Sequence, residues 1–253
     1  TNNTGLGLRS LYTNTTGAGN TALGRDALYA NTTASNNTAV GYNALIANTT
    51  GSENVAVGRL CLDANTTGQD NTAIGNAALG GNTTADNNVA VGSAALIANT
   101  TGALNTALGS QALLSNTTAS NNTAVGSASL YYNTTGANNT GLGRQALFNN
   151  TTAEGNTAVG FQSMLATTTG ASNTAVGTYA LTATTTGNFN VAVGIQALQA
   201  NTTGTLNVAI GKGAMFSNVS GERNSAIGYE ALYTNTGSYN TANGFYAMRL
   251  NTS

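Results

Sequence analysis

The stretch Asn88-Val89-Ala90-Val91-Gly92-Ser93-Ala94-Ala95-Leu96-Ile97-Ala98-Asn99-Thr100-Thr101-Gly102-Ala103-Leu104 is one full unit of a pattern that begins again at Asn105. Outward from it in both directions, asparagine recurs every seventeen residues from Asn3 to Asn224, and Asn240 follows one residue early, after a unit that has lost a threonine. Counting that asparagine as position one, the unit reads N-T-A-V-G-x-x-A-L-x-x-N-T-T-G-x-x. A short fixed period is the signature of a solenoid, in which each unit hides its apolar side chains only by stacking on its neighbours. About fifteen units fill residues 3–253, which predicts one repeat domain forming one continuous rod. Such a stack offers a long repetitive surface and no single place where unlike catalytic groups converge.

Seventeen residues are too few for a two-helix repeat, and a glycine at position five of every unit weakens any helix. The alternative is all-β: a parallel β-solenoid, or β-roll, with one coil per unit. N-T-A-V before the glycine reads as a first strand, x-x-A-L-x as a second, and N-T-T-G as the turn back. Position four, for example Leu23, Val40, Val57, Ile74 and Val91, and position nine, Leu except at Met164, Met215 and Met248, are the expected core columns. Positions three and eight accept only small residues and predict close packing. Asparagines at positions one and twelve, the latter replaced only by Thr167 and Thr184, are expected to stack as hydrogen-bonded ladders. One Val, one Leu and two Ala per coil bury little apolar surface for the chain they must order, so more is expected to be hidden elsewhere. Position ten, with Tyr12, Tyr29, Ile46, Ile97, Leu114, Tyr131, Phe148, Leu165, Phe216 and Tyr233, is the column expected to meet another chain.

Composition removes several function classes. Lys and Arg number seven against eight Asp and Glu in 253 residues, too few and too scattered for a phosphate-binding surface, so no nucleic-acid partner is expected. Apolar runs are only a few residues long, which predicts no membrane insertion in this segment. The start at Thr1 and the stop in mid-unit at Ser253 suggest a segment of a longer protein. Histidine is absent and Cys61 is the single cysteine, at a position where other units carry Ala or Ser. It reads as a core substitution, and neither metal nor cofactor is expected. The carboxylates scatter through the unit, so no paired acid/base chemistry is predicted and the chain reads as a non-enzyme.

The N-V-A-V-G-S-A-A-L segment from Asn88 and the N-V-A-I-G-K-G-A-M segment from Asn207 resemble the head repeats of trimeric autotransporter adhesins. That resemblance implies a left-handed parallel β-roll, three chains side by side, on a cell surface and directed at a host or matrix receptor. The coil here is longer than is usual in those heads, because N-T-T-G is added. The full unit resembles repeats of phage tail-fibre and tail-spike proteins that end in a self-cleaving intramolecular chaperone domain, which implies a virion as the other location.

The leading functional expectation is therefore a non-enzymatic segment of a trimeric surface fibre that spaces or presents a surface for a glycan or protein receptor. Variable, exposed position six would carry binding: Arg25, Tyr42, Arg59, Arg144, Phe161, Lys212, Tyr229 and Phe245. Repetition would supply avidity from weak contacts. One alternative is a self-assembling extracellular filament, since unpaired strand edges stack. Against it, the last units depart from the pattern at Asn218-Val219-Ser220, after Thr236 and at Asn243. Another is an ice- or mineral-binding face built from Thr-Thr at positions thirteen and fourteen, although neighbouring threonines point to opposite sides and leave one file per coil. Asn-Thr-Thr also matches the N-glycosylation pattern at Asn14, Asn31, Asn48, Asn65, Asn82, Asn99, Asn116, Asn133, Asn150 and Asn201, where a polar turn ladder is the plainer reading.

Overall fold

The computed structural model describes residues 2–251, and they form a parallel β-solenoid of about fifteen coils with no helix among them. The coils fall into two compact units, Thr1–Ser127 and Ala128–Ser253. In both, strands of three residues occupy positions two to four, as at Thr21–Leu23, Thr38–Val40 and Val55–Val57 in the first and Thr157–Val159, Thr174–Val176 and Val191–Val193 in the second. Each pairs in parallel with its counterpart one coil on: Thr21 with Thr38, Ala22 with Ala39, Leu23 with Val40. The shortened last repeat keeps this register, Ser225 meeting Thr241 and Ala226 meeting Ala242.

The second strand expected at x-x-A-L-x does not form. Positions eight and nine, such as Ala27 with Leu28 and Ala44 with Leu45, are both fully buried. An extended strand sends consecutive side chains to opposite faces and cannot bury both. The backbone solves this by entering the left-handed region at position nine, where Leu28 and Leu45 have φ 51°, and again at position seven, where Asp26 has φ 59° and Asn43 57°. The segment still bonds to both neighbouring coils: Asp26 N–H donates to Leu8 O at 2.9 Å and Leu28 N–H to Ala44 O at 3.0 Å. Inter-coil bonding therefore runs around the coil although only three of its residues are strand.

Position four is the second correction. Within the strand only position three points inward, so Ala22, Ala39, Ala175 and Ala192 are fully buried while the aliphatic after each faces out. Ile74 and Ile227 are about two-fifths exposed, at 40% and 41%. The core is thus position nine, the two small columns and, unusually, the asparagines of positions one and twelve. Position ten is half-buried in most coils, with Tyr12 of the first coil exposed, and where aromatics fall one coil apart their rings stack: Tyr12 on Tyr29 at 5.4 Å between centroids, Tyr131 on Phe148 at 5.1 Å, Phe216 on Tyr233 at 4.9 Å.

The asparagine ladders form as expected, and they are tied to each other. In position one the Oδ1 of Asn37 accepts the backbone N–H of Asn54 at 2.9 Å, and Asn173 Oδ1 does the same for Asn190 at 2.9 Å. In position twelve, Asn65 Nδ2 donates to Asn48 Oδ1 at 3.0 Å. Both columns then converge on one carbonyl, since Gly68 O accepts from Asn54 Nδ2 at 2.8 Å and from Asn65 Nδ2 at 3.0 Å. Buried amides so completely partnered stabilise the coil stack and fix its register.

Glycine at position five is demanded by geometry. Gly24 has φ +136°, and a Cβ there would lie 2.5 Å from Gly41 O, the carbonyl of the same position one coil on. These glycines let the backbones close on each other at the corner after the strand.

Candidate functional site

Position six lies just past that corner, and most of its side chains are exposed. Because the register never slips, residues one unit apart in sequence become neighbours in space. The Arg25 guanidinium sits over the Tyr42 ring at 5.6 Å and Arg144 over Phe161 at 5.8 Å. Lys212 Nζ lies 5.5 Å from the Tyr229 centroid, and Tyr229 stacks on Phe245 at 5.2 Å. The eight candidates thus resolve into a first pair, a second pair and a group of three, while Arg59 reaches Asn76 Oδ1 at 3.4 Å.

Two ion-pair groups stand beside the column. Asp26, itself buried, receives Arg9 Nε at 2.7 Å and Arg9 Nη2 at 2.9 Å, and Arg25 Nε at 3.2 Å. The hydrogen bond from Arg9 holds the Asp26 carboxyl below its usual range. Near Tyr229, Glu230 accepts from Arg249 Nε at 2.8 Å, and Arg249 lies over Tyr233 and Tyr246. The hydrogen bond to Glu230 raises the Tyr229 phenol above its ordinary value. Guanidiniums and ammoniums on ring faces make a polar-aromatic surface of the sort that recognises polyols or protein side chains by stacking and by forked hydrogen bonds.

Among the described residues there is no group of three or more His, Cys, Asp or Glu, and the surface has no pocket. Among the described residues no helix is long and apolar enough to cross a membrane. Cys61 is buried, donates to Gly75 O at 2.6 Å, and burial pushes its thiol up, away from reactive thiolate. The glycosylation pattern falls on side chains facing inward: Asn31, Asn48, Asn65 and Asn99 are fully buried. Of the paired threonines, position fourteen is exposed, while the position-thirteen hydroxyl is tied down, as where Thr32 Oγ1 donates to Thr49 O at 3.1 Å. One file per coil remains, as the sequence predicts.

Sequence reasoning missed the outer face of the strand. Positions seventeen, two and four point outward around buried positions one and three, and form a surface repeated coil after coil in each unit. Alternation in Phe189-x-Val191-x-Val193, with buried Asn190 and Ala192 between, was the available signal. The fold and this surface together define a parallel β-solenoid repeat protein whose outward sheet face carries an aliphatic column. No family model, curated protein or solved structure matches the chain.

Proposed function

We propose that this chain is a non-enzymatic structural segment of an extracellular fibre, on a cell surface or a virion. In this reading it associates with copies of itself, three in number, and presents position six to a glycan or protein receptor. The observation that carries it is the outward aliphatic at position four in all but the last coil, half-buried at Leu23 and Val40 and exposed at Ile74, Leu108, Val193 and Ile210. A repeated apolar column on a sheet face is larger than the scattered hydrophobics a monomer usually exposes. The interface is therefore position four with its outward neighbours, in place of position ten. Multi-angle light scattering in dilute solution tests this. A mass of three times 25.2 kDa supports the fibre, and a stable 25.2 kDa species refutes it.

The threonine column at position two favours a second reading. Thr21, Thr38, Thr106 and Thr123 in the first unit lie beside position four on the same outward face, giving two regular columns where the Thr-Thr pair gives one. A periodic, uncharged face of that kind suits a crystalline surface such as ice. Thermal hysteresis from a monomeric chain would bring this reading forward.

A further inference from the structure

The outer sheet face is not uniform, and its irregularity has a physical meaning. In most coils the outward residues at positions seventeen and two are polar, as Asn36 with Thr38, Asn121 with Thr123 and Asn138 with Thr140. In the coil that opens at Asn190 they are Phe189 and Val191, followed by Val193 and then Ile195 past the corner. The next coil continues with Leu206, Val208 and Ile210. Phe189 is 60% exposed, Ile195 50% and Leu206 44%. This is two consecutive coils of apolar outward side chains, inside the second compact unit.

Phe189 and Leu206 are costly where they stand. Position seventeen takes the left-handed backbone conformation, φ 57° at Phe189 and 59° at Leu206. Asn and Gly adopt that conformation most readily, and they hold the site at Gly19, Asn36, Asn87, Asn121, Asn138 and Gly155, while Glu53, Asp70, Leu104, Ser172, Arg223 and Tyr239 hold it in other coils. Bulky apolar residues there strain the backbone and leave about half of their surface in water, so in the isolated chain their burial offsets only part of that cost. Strain kept at an exposed position points to a contact made with something else.

A second copy of this chain is the occupant that fits. The face repeats at the inter-coil spacing of about 4.8 Å, and only a partner with the same period meets it side chain for side chain along its length. One unit of seven or eight coils, taken over the five residues from position seventeen to position four, presents on the order of 600 Å². That is the lower end of what each partner contributes to a standard stable interface. Few charged side chains interrupt the face, and Phe189 to Ile210 holds none at its outward positions seventeen, two and four. A small, fully desolvated aromatic and aliphatic cluster is also where binding energy concentrates in interfaces.

We propose that copies of this chain hold together chiefly through the patch of Phe189, Val193, Ile195, Leu206 and Ile210, with the remaining position-four column adding weak, repetitive contact. The patch also breaks the degeneracy of a periodic face, because copies shifted by two coils would lay Phe189 against Gly155 or Arg223. This rests on the self-association reading above. The test is F189N/L206N, which gives these coils the residue that position seventeen favours elsewhere, alongside L104N as a matched exposed leucine outside the patch. Sedimentation over a concentration series reads association, and circular dichroism with thermal melting reads the fold. The expected result is at least about tenfold weaker association for F189N/L206N, roughly 1.4 kcal/mol or more, with its fold intact and L104N little changed. Wild-type oligomers that F189N/L206N leaves unchanged, or that L104N weakens equally, overturn the patch while leaving self-association standing. A wild-type chain that stays monomeric overturns both.

Discussion

Restoring two asparagines should repair a break in the interior. The position-twelve ladder is interrupted at Thr167 and Thr184, both fully buried. Just before the break, Asn150 Nδ2 donates to Asn133 Oδ1 at 2.7 Å and to Ala153 O at 3.1 Å, but its own Oδ1 is buried without a partner, as is Thr167 Oγ1. Just after it, Asn201 Nδ2 has only a long 3.5 Å contact to Thr184 Oγ1 in place of a ladder oxygen. In T167N/T184N, residue 167 gains a donor to Asn150 Oδ1 and another to Gly170 O, and residue 184 gains the same pair to residue 167 and to Gly187 O. Net gains of about 0.5–1.5 kcal/mol per bond, with relief of an orphaned buried acceptor, give roughly 2–4 kcal/mol. Each single variant completes only part of the chain, so the double should exceed the sum of the singles by about 0.5–1 kcal/mol. Repeat arrays need not unfold in one step, so the thermal midpoint is read together with amide exchange in residues 150–201. A midpoint rise of about 2–4 °C per kcal/mol is expected. A double variant no more stable than the wild type would refute the claim that the amide ladder, and not the aliphatic column alone, holds the coils in register.

Three further outcomes follow from the geometry. G24A places a methyl 2.5 Å from Gly41 O at φ +136°, and should cost at least about 3 kcal/mol by denaturant melting; a neutral result would contradict the corner packing. L96A, in the buried column, should destabilise by about 2–5 kcal/mol, whereas V91A on the outward face should cost under about 1 kcal/mol in the monomer; similar losses would restore position four to the core. Asp63 sits half-buried in the position-ten column, where burial raises its carboxyl above the usual value. Its folded pKa exceeds the unfolded one, so the chain should gain stability as pH falls through the folded value, and D63L should raise stability at neutral pH and remove that part of the pH dependence. Denaturation curves from pH 4 to pH 7 check the sign.

Period, parallel register and both ladders are legible in the sequence because each is a property of translation: whatever Asn54 does, Asn71 repeats. The path within one coil is less legible. Ala27 and Leu28 read as strand by composition, and their joint burial, which rules a strand out, requires knowing that both face inward. Position four misleads for the related reason that Val and Leu are assigned to a core by hydrophobicity, while the strand must point either Ala22 or Leu23 inward and the coil has room only for the alanine. The candidate column at position six is legible as a column, but its grouping depends on which variable residues happen to fall one coil apart, as Lys212, Tyr229 and Phe245 do.

The position-one ladder has a sense of direction. Each Asn Oδ1 looks toward the later coil and accepts its N–H, as Asn20 does for Asn37 and Asn207 for Asn224, so along this ladder each coil offers an acceptor Oδ1 to the next coil and a donor N–H to the one before. An inverted coil would set oxygen against oxygen. Growth of such a stack is therefore polar, like a crystal with one advancing face: each finished coil is the mould for the next, and a unit inserted or deleted whole leaves every interior bond with a partner. Length can then change in increments of one repeat without any new interior chemistry, which makes the number of coils the property of this architecture that evolution can adjust most freely.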